Sequence, residues 1–177
     1  MRGRYFNPSQ MSLAKAVFGH AEKLVGSYYR LGQDAFRAYR YDIRTLIQLE
    51  SHEIKECAFA HLCRYRYEKH DHQGVSKSFF FYRVCLQDNR ILDAVERANS
   101  FIKLSPLMLY IAAHELVHVI RFDDGHFNFE APEEEKSREE DIVHAITRQI
   151  MQPVMHHDLN LVLDCFSNQY KIGDIFH

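Results

Sequence analysis

Apolar positions recur along much of the chain with the spacing of helices turned towards a core. Met11, Leu13, Ala16, Val17, Ala21, Leu24 and Val25 follow Pro8 and Ser9, and predict an amphipathic helix ending near Gly26. Phe36, Tyr39, Ile43, Leu46 and Ile47, after Gly32, predict a second. From about Glu56 the period changes to two. Phe59, His61, Cys63, Tyr65 and Tyr67 alternate with Ala60, Leu62, Arg64 and Arg66, and a polar KHDHQG segment separates them from the aromatic, β-branched run SFFFYRVCLQ. This pattern predicts a β-hairpin of roughly residues 57–67 and 78–87. A continuous helix through Arg66 is the competing reading.

The second half is helical in pattern. Asp88 is placed to cap a short helix from Ile91 to Ala98. Ser105-Pro106 opens a longer one, with a capping side chain followed by Pro at the first helical position. Its sequence, LMLYIAAHELVHVIRF, is apolar nearly all round, which marks a helix buried on most faces, and it must stop near Asp123-Asp124-Gly125. Ala131-Pro132 and three glutamates open another helix, reaching about Gln152, with acids suited to its positive N-terminal end. A last helix is expected from Asp158 to about Tyr170. The expected fold is therefore a single domain over residues 1–177, α+β and mostly helical. It should hold five or six helices and one short antiparallel sheet.

Composition narrows the function classes. The chain of 177 residues is 46% hydrophobic and 26% charged, which suits a globular domain with a sizeable core. A net charge of −2 gives no case for a general nucleic-acid or membrane binder. Basic residues outnumber acidic ones up to about Arg66, and Asp123 to Asp141 is acidic; solvated helix faces of opposite sign account for both. The N-terminal segment lacks the apolar core of a signal peptide, and no run is long enough to cross a bilayer, so a cytoplasmic protein is expected. Cys57, Cys63, Cys85 and Cys165 have no CxxC spacing and read as reduced, buried thiols; zinc binding by Cys57 and Cys63 is the alternative use.

One motif carries chemistry. His114-Glu115-Leu116-Val117-His118 lies in the middle of the buried helix. Two His four residues apart project from one helix face, so both imidazoles can reach a single metal ion, and Glu115 can reach a metal-bound water as general base. Zinc suits two imidazoles plus a carboxylate with one open position. In a chain with 12 His, HExxH arises by chance in roughly one sequence in twenty. The setting weighs against chance, because two imidazoles and a carboxylate within an apolar helix are expensive without partners.

The segment YIAAHELVHVIRF resembles the active-site helix of the zincin metallopeptidases, and the likeness extends through the acidic helix, over roughly residues 105–152. That resemblance implies zinc-dependent hydrolysis of a peptide bond in a peptide or protein substrate. It leaves the third ligand open. Metzincins carry HExxHxxGxxH, but Arg121 occupies the Gly position and Asp124 the third-ligand position. His126, in the following loop, is a second option. The Glu-zincin (gluzincin) arrangement takes a Glu from a following helix, and Glu140, 22 residues beyond His118, suits it, with Glu139 the near-equal alternative. Glu140, Val143, His144 and Thr147 share a face beside Ile142, Ile146 and Ile150.

His144 is then a candidate to polarise a substrate carbonyl, to support a ligand, or to close the site as a fourth ligand, which would make the metal structural. Tyr82 and Tyr110 are candidate oxyanion donors, and the Ser78–Gln87 strand a candidate edge for an extended substrate. The leading expectation is a zinc metallopeptidase with His114, His118 and Glu140 as ligands and Glu115 and His144 as catalytic groups. The rival readings are a zincin-like metal-binding scaffold or regulator without proteolytic activity, and a nucleic-acid-associated factor using the basic N-terminal half.

Overall fold

The computed structural model describes residues 4–32, 34–99, 101–154, 158, 159 and 162. Its axis is the HExxH helix, α3 (Leu104–Asp123), in which every residue from Tyr110 to Ile120 is buried. A helix apolar on all sides must be covered on all sides, and three elements do this. One is α1 (Pro8–Tyr28), which presents Ala14, Val17, Phe18, Ala21 and Val25. It starts at Asn7, whose side chain accepts from the Gln10 amide while the Gln10 side chain accepts from the Asn7 amide, with Pro8 at the first helical position. A second is a helix later in the chain, described below. The third cover is a β-sheet.

That sheet has three strands, β1 (Tyr41–Arg44), β2 (Ala60–His70) and β3 (Ser76–Leu86), in the order β1-β3-β2. The hairpin is as expected, with bounds shifted by a few residues. Asp71 accepts from the Gln73 and Val75 amides, and Gly74 takes the positive φ (78°) that the tight turn needs. Alternate residues Tyr82, Val84 and Leu86 are buried towards the helices.

Two expectations are corrected here. The stretch after Gly32 is not a helix: it contains a one-turn 3₁₀ helix at Ala35–Arg37, strand β1, and further 3₁₀ turns at Leu46–Gln48 and Ser51–Glu53. Strand β1 pairs parallel to β3, Tyr41 beside Tyr82 and Arg44 beside Cys85, so the sheet is mixed rather than antiparallel. The same pairing makes β3 the central strand. From Tyr82 to Cys85 it has no free edge to offer a substrate, whereas β2 has one along its length.

After β3 come α2 (Asp88–Arg97) and, beyond α3, α4 (Glu133–Met151). Gln87 takes the cap position and Asp88 the first turn of α2, where its buried carboxylate accepts from the amides of Phe6 and Leu46 at 2.9 and 3.0 Å. Helix α3 begins at Leu104, one residue before Ser105, a shift within the usual spread of helix ends. Val143, Thr147 and Ile150 form the inward face of α4, whereas Ile142 is exposed. The helix expected from Asp158 to Tyr170 lies mostly outside the described residues. Among those residues, no helix is long and apolar enough to cross a membrane.

Leu86 is fully buried in the central strand beneath α3. Leu86→Ala should cost about 3 kcal/mol, through lost transfer energy and the cavity left behind. Urea unfolding followed by circular dichroism reads this directly.

Candidate metal centre

Positions 114 and 118 stand one turn apart on α3, and α4 crosses beside them, bringing Glu140 to the pair. The Nε2 atoms of His114 and His118 are 3.1 Å apart. Glu140 places Oε2 3.1 Å from His114 Nε2 and Oε1 3.0 Å from His118 Nε2. All three donor groups therefore converge on one point. Ligands about 2.0–2.1 Å from a tetrahedral zinc lie roughly 3.3 Å from one another, so the triangle is close to the size an ion requires. Both histidines are buried, and their outer Nδ1 atoms have no hydrogen-bond partner among the described residues. Their orientation comes instead from the helix and from ring contacts: His118 stacks on Phe122 at 5.6 Å, and His114 lies 4.5 Å from the His144 ring.

Electrostatics separate the three groups. Burial, aided by His118 and His144, lowers the His114 pKa to about 4, so that imidazole is neutral and free to ligate at neutral pH. Burial also acts to lower His118, but the hydrogen bond and charge of Glu140, with Glu115 and Glu139, outweigh it and raise its pKa. Burial acts to raise Glu140, and the two histidines overcome it, holding the carboxylate ionised well below the usual range. Glu115, buried beside them, has its pKa raised to about 7, first by desolvation and further by the charge of Glu140.

The neighbouring carboxylate has another task. Glu139 is buried and accepts from both Nε and Nη2 of Arg121, the latter at 2.9 Å. That bidentate pair takes Glu139 away from the metal position. His126 is exposed in the turn after α3 and lies outside the cluster, and Asp124 accepts from the Tyr39 hydroxyl. Neither supplies the third donor.

His144 is not part of the converging donor set. Its Nδ1 meets the Tyr110 hydroxyl at 2.6 Å, and its ring flanks His114. The three-donor cluster lies on the wall of an open cleft of about 750 Å³. His114, Glu115, His118 and Glu140 line this cleft, together with Phe122, Phe127 and Phe129. Its opposite wall is β2, from Ala60 to Tyr65. Tyr82 and Tyr110 are not among the lining residues. Tyr82 is buried and stacked on Phe122, and the Tyr110 hydroxyl is engaged by His144, so neither hydroxyl faces the cleft.

Sequence reasoning missed the Arg121–Glu139 pair and the Tyr110–His144 contact. A signal for the second was present, since Tyr110, His114 and His118 recur every four residues along one helix face. Comparison of the chain with family models, curated proteins and solved structures finds no match.

Proposed function

We propose that this chain is a zinc-dependent hydrolase, a small metallopeptidase of the Glu-zincin type. The observation that carries the reading is the convergence of His114, His118 and Glu140 at 3.0–3.1 Å, with Glu115 buried beside them on an open cleft. Zinc held by these three residues would lower the pKa of a coordinated water towards ~7 and polarise a substrate carbonyl. Glu115 takes the proton of the attacking water and passes it to the leaving nitrogen, the role open to a carboxylate buried beside the donor cluster. The neutral His114 and the ionised Glu140 are the protonation states that ligation needs, and His118 gives up any proton it holds when a metal binds.

The cleft also supports a peptide as substrate. Strand β2 pairs on one side with β3 and presents its other edge to the cleft, so an extended chain can add to it by main-chain hydrogen bonds. Phe122, Phe127 and Phe129 offer an apolar wall to one of its side chains. His144, held by Tyr110, acts as a positioning residue that keeps the His114 ring in place.

The test combines metal content with cleavage. Elemental analysis should find zinc in wild type and His126→Ala, and its loss from the HExxH site in His114→Ala. A peptide library should then be cleaved by the zinc-loaded chain, not after chelation, and again when zinc is restored. Binding without any cleavage would instead favour a metal-holding scaffold, and no binding would end both readings.

A further inference from the structure

The hairpin carries a second convergence of donor atoms, on the sheet face turned away from α3. His61 stands directly across from Cys85 in the antiparallel register, and Cys63, two residues further along β2, projects from the same face. The ligand atoms of His61, Cys63 and Cys85 all lie within 4.8 Å of one another. His61 Nε2 is 3.6 Å from Cys63 Sγ. A thiolate and an imidazole sharing a tetrahedral zinc, at about 2.3 and 2.0–2.1 Å, stand roughly 3.5–3.6 Å apart, so this edge already has the required length.

The surroundings are built rather than incidental. Cys85 is fully buried, and His61 and Cys63 are half-buried. Among the described residues the Nδ1 atom of His61 is buried with no hydrogen-bond partner. The segment around Glu53 closes over this face and is pinned to it. Glu53, fully buried, accepts from Arg83 at 3.1 Å and from the Tyr65 hydroxyl. The Gln87 amide donates to the carbonyls of Glu53 and Cys85 at 3.0 and 3.3 Å. Fixed backbone on both sides of a donor set is what holds ligands to one geometry.

We infer that His61, Cys63 and Cys85 form a second zinc site, thiolate-rich and separate from the HExxH centre, which clamps edge strand β2 to β3 beside the cleft. Two sulfurs and one nitrogen make it the softer of the two sites, selective for zinc over hard cations. Each bound ion displaces the two thiol protons and leaves the thiolates as ligands.

The experiment uses the full chain, purified reduced, with zinc and Co²⁺ as the probes. Wild type should hold about two zinc ions and His114→Ala about one. With Co²⁺, both should show the near-ultraviolet thiolate-to-cobalt charge-transfer band. Cys63→Ser should also hold about one zinc but lose that band. Zinc should further slow alkylation of Cys63 and Cys85 in wild type and His114→Ala, a readout that does not depend on the Cys63 variant folding. No charge-transfer band in His114→Ala together with unprotected thiols, or a Cys63–Cys85 disulfide in the reduced preparation, would overturn the inference. Failure of the HExxH reading would look different: His114→Ala would leave the metal count unchanged.

Discussion

Glu115→Gln is expected to keep the zinc content and the fold while lowering the rate of peptide cleavage by about 10²–10⁴-fold, the usual contribution of a general acid–base group. The substitution keeps size and hydrogen-bonding shape, so the packing of α3 is untouched. It removes only the ability to accept a proton. Glu115 is not in the converging donor set, so metal binding should not depend on it. The effect belongs in kcat rather than KM, because the proton moves only as the reaction proceeds. Stopped assays of one cleaved peptide, alongside zinc analysis and thermal unfolding of both proteins, separate these quantities. Retained cleavage in the variant would exclude Glu115 as the base. A parallel loss of zinc would show instead that the residue shapes the site rather than its chemistry.

The reach of sequence reasoning followed the range of the interactions involved. Helices α1, α3 and α4 were legible because their apolar spacing and their start signals are local. The hairpin was legible because its alternation and its turn are local too. Strand β1 was not. Tyr41–Arg44 is four residues long and pairs in parallel with Tyr82–Cys85, some forty positions away. Nothing within a window around Ile43 can reveal that partner, and the same apolar residues fit a helical spacing. The order β1-β3-β2 is non-local in the same way, and no pattern within β3 itself reveals a neighbour on its second side.

The two donor clusters divide along this line as well. His114 and His118 are four residues apart on one helix and announce themselves. Cys85 joins His61 and Cys63 only through the hairpin register, so no sequence spacing reveals the second cluster. Cys57 is exposed, not buried as expected, and stands outside the cluster, so it does not join Cys63 there; Cys165 lies outside the described residues.

Glu139 and Glu140 should respond to alanine in opposite ways. Adjacent helix positions point about 100° apart. A pattern of apolar residues therefore cannot decide which of two neighbouring glutamates faces the histidines when the rotation of α4 is uncertain by that much. Arg121 decides it. Its guanidinium, only 16% exposed, takes both oxygens of Glu139, which is itself 3% exposed. Removing Glu139 leaves that cation buried without its partner and should destabilise the chain by about 3–5 kcal/mol, with zinc stoichiometry at the HExxH site retained.

The Glu140 side chain is 51% exposed, and its ion-pair contacts are to the imidazoles of His114 and His118. Glu140→Ala should change the stability of the metal-free chain by no more than about 1 kcal/mol. It should weaken zinc at this site by more than about 100-fold, since even residues that only support ligands cost up to that much. Denaturant unfolding of the metal-free proteins and competition with a zinc-binding dye measure the two effects independently. A Glu139→Ala chain that stays stable but loses the HExxH zinc would reverse the assignment of the two carboxylates, and would mean that Arg121 holds Glu139 only until the metal arrives.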